Sequence, residues 1–131
     1  MRIETRLRHS AQHNPDKTAL VAGGSRLTYR DIDGQSDALA ASLIRQGVKP
    51  ADRILLLMEN CSEAVIGFFA AWKAGAVACP LHPSMKPDKL AAIIESTTPA
   101  AIFIQARTSA SVDAAVAMAR QTPLRVMIQA S

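Results

Sequence analysis

Chemistry needs nucleophiles, bases, metal ligands or phosphate cradles at defined spacing, and this sequence offers few. His9 and His13 stand four residues apart, which on a helix puts two imidazoles within reach of one metal. No HExxH glutamate lies between them and no carboxylate or thiol cluster accompanies them, so solvated histidines are the favoured reading and no metal site is assigned. Cys61 stands near a helix start, where a thiol gains thiolate character. A cysteine nucleophile also wants a base, and His82 is the only histidine downstream. The turn Glu59-Asn60-Cys61-Ser62 could offer amide donors to an anion, but Asn60 and Glu63 form a capping pair that would occupy them.

Gly23-Gly24-Ser25 holds the only glycine pair, and it lies between two strand-like runs instead of between a strand and a helix. It reads as a hairpin turn. No GxGxxG, GxxxxGK or GxSxG occurs, and no carboxylate pair identifies itself as acid and base. The remaining feature is the proline-rich loop 79–87, in which Pro80, Pro83 and Pro87 stiffen a path that could present Ser84 or Lys86 to a ligand. On residue types alone, a plain crossover is favoured.

The elements around these residues are well marked. A helix runs from Ile3 to about His13 and ends before Asn14-Pro15. Strands at 18–22 and 26–28 flank the glycine pair. Thr28 caps a helix with Asp31 in the capping-box position; Ile32, Leu39, Ala40, Leu43 and Ile44 form its apolar face, and Gly47 closes it. The apolar run 54–58 predicts a strand covered on both faces.

A helix capped by Asn60 then carries Val65, Phe68, Phe69 and Trp72 as its buried stripe and ends at Gly75. A strand at 76–79 is stopped by Pro80. Pro87 opens a helix bearing Leu90, Ile93, Ile94 and Thr97. A strand at 101–104, a helix near 111–120 with Val112, Ala115, Val116 and Ala119, and a buried strand at 124–128 complete the pattern. The expected fold is α/β, a β-hairpin followed by alternating strands and helices with a mostly parallel sheet. Because no helix follows the last apolar strand, residues 1–131 are expected to form a partial domain, incomplete at the C-terminal end.

Composition narrows the function classes. Fifteen Lys and Arg against eleven Asp and Glu give a formal charge of +4, but the basic residues are dispersed and only five side chains are aromatic. That argues for a solvated surface and against nucleic-acid binding. Two cysteines without a CxxC pair, no apolar run long enough to span a membrane and no signal peptide predict a cytoplasmic protein.

Five segments in order resemble the adenylate-forming superfamily of acyl- and aryl-CoA synthetases, luciferases and peptide-synthetase adenylation domains. His13-Asn14-Pro15-Asp16-Lys17-Thr18-Ala19-Leu20 is similar to its opening segment. Leu27-Thr28-Tyr29-Arg30-Asp31-Ile32 is similar to its first core motif, L-T-Y-x-E-L. Residues 46–54 resemble "lGvkpGDrV", with Ala51 where a glycine is usual. The strand and cap ending at Asn60 match "llpN", and residues 72–82 resemble the second core motif, L-K-A-G-x-x-x-x-P.

The resemblance covers about residues 10 to 105 and implies the N-terminal portion of an ATP-dependent carboxylic acid–CoA ligase. Such an enzyme forms an acyl adenylate and then a thioester, using ATP, Mg and CoA. The family's phosphate loop, its adenine, ribose and magnesium motifs and its C-terminal lysine are absent, so no residue here takes a catalytic role and none of the three cofactors is expected to bind this segment alone. In CoA-using relatives the loop after the second core motif approaches CoA, which makes Lys86 and Ser84 the candidate cofactor-side residues. The implied partners are a small carboxylic acid, ATP, CoA or a carrier protein, all met through the remainder of the same enzyme or a companion chain. Two alternatives stand: one piece of a split or cleaved enzyme loading a carrier protein, or a non-catalytic binding module.

Overall fold

The structure, a computed structural model, describes residues 2–59 and 61–128. Helix α1 (Ile3–His13) leads into an antiparallel hairpin of β1 (Thr18–Ala22) and β2 (Ser25–Thr28). Four βα-type units follow: α2 (Tyr29–Arg45), β3 (Arg53–Leu57), α3 (Ser62–Lys73), β4 (Val77–Leu81), α4 (Pro87–Thr97), β5 (Ala101–Ile104), α5 (Ser109–Ala119) and β6 (Leu124–Met127). A single 3₁₀ turn, Ala106–Thr108, precedes α5.

The four later strands make one parallel sheet in the order β4-β3-β5-β6. From β3 the chain crosses to β4 on one side, then returns past β3 to β5 and β6 on the other. Right-handed crossovers in opposite directions place their helices on opposite faces. Accordingly Ile54 and Leu56 of β3 join Phe103 in the core beneath α2 and α3, while Leu55 and Leu57 join Ile102, Leu90 and Val112 beneath α4 and α5. Every position of β3 from Ile54 to Leu57 is buried, which is why it reads as an unbroken apolar run.

Local signals set several boundaries. The Thr28 hydroxyl accepts from Asp31 N–H at 3.1 Å while the Asp31 carboxylate accepts from Thr28 N–H at 2.9 Å, the capping box expected from the sequence. Pro87 opens α4. Gly75 ends the α3 turn at φ +78, and a side chain there would meet the Pro50 backbone at 3.4 Å.

Other expectations need correction. Pro80 does not stop β4 but lies inside it, opposite Leu56. An edge strand tolerates this, because half its backbone groups face no partner. The stripe Val65, Phe68, Phe69 and Trp72 is not the buried face of α3: those side chains are half-buried, with Phe68 packing at the margin of the core, and Ala64, Gly67, Ala70 and Ala71 are buried instead. Small residues let α3 approach closely, so that a Cβ on Gly67 would lie 3.0 Å from the fully buried Phe103 ring. The displaced aromatics cluster around Trp72, 5.5 Å from Phe68 and 5.3 Å from Phe69. Ile44 is 54% exposed and no core residue, whereas buried Ser36 on the same helix returns its hydroxyl to Ile32 C=O at 2.6 Å.

The cap expected at Asn60 lies outside the described residues; α3 has Cys61 at its N-cap position, with no side-chain capping bond. Strand β6 alternates half-buried and exposed residues, with Arg125 and Met127 outward, where the sequence predicts a buried strand. Among the described residues no helix is long and apolar enough to cross a membrane.

Candidate functional site at the carboxyl end of the parallel sheet

Because β3, β4, β5 and β6 run parallel, their carboxyl ends share one rim, and the segments after Leu57, Leu81 and Ile104 meet there. Open α/β sheets bind ligands at this rim, above all where the strand order reverses. Here the reversal lies between β3 and β5.

On the β3/β4 side the rim opens into a cleft of about 610 Å³, walled by Leu56, Met58, Phe68 and Leu81, with Glu59 and His82 among its polar lining. The loop after β4 is braced from within. The Ser84 amide donates to His82 Nδ1 at 3.1 Å, and the Ser84 hydroxyl lies 2.6 Å from the same nitrogen. An amide can only donate, so Nδ1 is the unprotonated nitrogen and the remaining ring proton sits on Nε2. Ser84, a candidate from the sequence, thus has its hydroxyl engaged by the His82 ring at the exposed surface of the loop. Lys86 is exposed at the N-cap position of α4, and its ammonium has no hydrogen-bond or ion-pair partner among the described residues. Of this loop it is His82 and Pro83, and neither Ser84 nor Lys86, that line the cleft.

At the β3/β5 reversal the chain fills the crevice with its own groups. Gln105, 4% exposed, accepts from Glu59 N–H at 3.1 Å through Oε1, and its Nε2 lies 3.8 Å from Cys61 Sγ. The buried Thr108 hydroxyl receives Gln105 N–H at 3.0 Å and lies 3.3 Å from Leu57 C=O. An Arg107–Glu59 ion pair closes the outer rim. Motif reading passed over Gln105, Arg107 and Thr108. The one available signal was a glutamine directly after the apolar run of β5, where a polar group must find a buried partner.

The surroundings of Cys61 favour its thiol over the thiolate. Burial pushes its thiol above the ordinary value, and the neighbouring Glu63 raises it further, against a smaller opposing pull from the Ala64 and Glu63 amides. His9 and His13 stack at 4.1 Å between ring centroids, and His13 Nδ1 is 2.9 Å from His9 C=O. Among the described residues no three His, Cys, Asp or Glu side chains come together as a metal site.

Lys73, which the second core motif places before Ala74-Gly75, lies at the far end of α3 from this rim. Its ammonium is tied to Asp33 at 2.7 Å and Asp37 at 2.8 Å. Its role is to join helices.

The model of the "AMP-binding enzyme" family matches residues 7–130. The chain belongs to that family. This AMP-binding family segment is 36% identical over 109 residues to naringenin synthase of Pestalotiopsis fici, covering 83% of this chain and 4% of that protein. It is 36% identical over 88 residues to phosphinothricin tripeptide synthetase PhsC of Streptomyces viridochromogenes, covering 67% of this chain and 8% of that protein. Its fold superposes on the Mycobacterium tuberculosis fatty acyl CoA synthetase with TM-score 0.86 and 27% identity, covering 98% of this chain and 26% of that one. The AMP-binding segment thus spans under a tenth of these two curated relatives and about a quarter of that solved structure.

Proposed function

We propose that this chain is the N-terminal segment of an ATP-dependent carboxylic acid–CoA ligase, acting on a fatty or aromatic acid in the cytoplasm. The observation that carries the reading is the family match over residues 7–130, on a chain whose sheet presents the braced loop with Ser84 and Lys86 at its carboxyl rim. The likeness to a fatty acyl CoA synthetase supports CoA as acceptor. The unpaired cysteines support a reducing compartment.

The reaction couples acid and ATP into an acyl adenylate with release of pyrophosphate, then moves the acyl group to a thiol with release of AMP. Catalysis of this kind rests on positioning and charge neutralisation. The described residues do not fit ATP or Mg. Among the described residues no metal-binding cluster is found, and the glycine pair is committed to the hairpin between β1 and β2. No step is therefore assigned to this segment.

For CoA the fit is limited to Lys86, whose free ammonium suits a phosphate as a point charge, with Ser84 keeping the loop in shape through His82. A carrier-protein phosphopantetheine is the second reading, and the likeness to a tripeptide synthetase favours it.

Purified chain is expected to give no ATP–pyrophosphate exchange; exchange above the enzyme-free blank would overturn the division of labour. In the enzyme that carries this segment, Lys86→Ala is expected to raise the KM for CoA about tenfold and leave that for ATP unchanged. An unchanged KM for CoA would return Lys86 to the solvated surface.

A further inference from the structure

The geometry points to Gln105 as a positioning residue: it plugs the crevice between β3 and β5 and fixes the turn that forms one wall of the β3/β4 cleft. Three observations carry this. The side chain is buried, so its amide must be satisfied within the protein. Its orientation is determined, because Glu59 N–H can only donate; Oε1 therefore faces Glu59 and Nε2 faces Cys61 Sγ. Both partners lie on the connection from β3 to α3, whose residues Met58 and Glu59 line the cleft.

Gln105 is itself held on both sides. Thr108 caps its backbone N–H and reaches Leu57 C=O, so the residue joins the exits of β3 and β5 through side chain and main chain together. In most open α/β sheets the reversal point is where a ligand enters. Here that entrance is occupied by an interlocked polar plug, and the open side is shifted one strand over, to the cleft between β3 and β4. A ligand of the parent enzyme that touches this wall of the cleft would thus meet Met58 and Glu59 in positions that Gln105 sets.

The assignment rests on the proposed function only in treating the cleft as ligand-facing. Its test reads hydrogen exchange and not thioester formation, so either can fail without the other. In Gln105→Met the volume is kept and both amide bonds are lost. The Glu59 amide is then expected to exchange about tenfold faster, with the Met58 methyl resonance displaced and the Leu55, Leu56 and Leu57 amides unchanged. Gln105→Glu keeps the acceptor and is expected to retain slow exchange at Glu59. Unchanged Glu59 exchange in Gln105→Met would overturn the assignment. So would a uniform rise across β3, or a Gln105→Glu variant that exchanges as fast as Gln105→Met.

Discussion

Lys73 Nζ lies 2.7 Å from an Asp33 carboxylate oxygen and 3.0 Å from the Asp33 carbonyl, so one ammonium on α3 binds both the side chain and the backbone of α2. Arg8 adds α1 to the same cluster, 2.5 Å from Asp37. The Lys73 side chain is only 8% exposed. An ion pair shielded in this way loses more when one partner is removed than an exposed pair does, because the remaining carboxylates stay partly desolvated.

Lys73→Met is therefore expected to destabilise the chain by about 2 kcal/mol. Arg8→Ala, removing a half-exposed arginine, should cost less than about 1 kcal/mol. Urea unfolding checks both: the midpoints should fall in that order at constant slope. Equal losses would mean that burial of Lys73 does not matter.

Ala51 occupies the position where the family motif usually has glycine, and it adopts φ +70. Its N–H donates to Gly75 C=O at 2.9 Å, which holds the turn in this conformation. A left-handed alanine costs roughly 1–2 kcal/mol relative to glycine, partly offset by the greater freedom of glycine in the unfolded chain. Ala51→Gly is expected to stabilise by about 0.5–1 kcal/mol, seen as a higher thermal midpoint. A lower midpoint would refute strain at this turn.

The raised Cys61 thiol gives a pH dependence of definite sign. The native state holds this proton more tightly than the unfolded chain, so the contribution is full below the ordinary thiol value of about 8.5 and is lost as pH rises through the native value. Between neutral and alkaline pH, stability should fall less steeply in Cys61→Ser than in the parent chain. Denaturant titrations at a series of pH values check this, and identical slopes would count against it. Iodoacetamide should also modify Cys61 more slowly in the native chain than in urea, since the thiolate is the attacking form.

Much of the architecture could be read along the chain, because its causes are local. The capping pair Thr28 and Asp31, the proline at the start of α4, the glycine ending α3 and the apolar run of β3 each act through neighbours a few residues away. Ordered motifs added the family, which the match over residues 7–130 bears out. Where prediction failed, the deciding partner was distant in sequence. Periodicity made Phe68, Phe69 and Trp72 the buried face, but the Phe103 ring on β5 leaves no room for a side chain at Gly67, and the small residues of α3 are the ones fully buried. Pro80 reads as a strand stop until β4 is known to be an edge.

The candidate rim divides in the same way. Sequence alone determined that a proline-rich loop, read as 79–87, follows a strand and carries Ser84 and Lys86; the structure gives its first residues, through Leu81, to β4. Only the tertiary structure decided that His82 engages the Ser84 hydroxyl, that Lys86 stays in solvent, and that Gln105 closes the reversal point to leave the opening beside β4. Local backbone preference fixes which element a residue joins. The groups it meets across 44 or 46 residues, as Gln105 meets Cys61 and Glu59, are set by strand order and burial, which exist only once the sheet has formed.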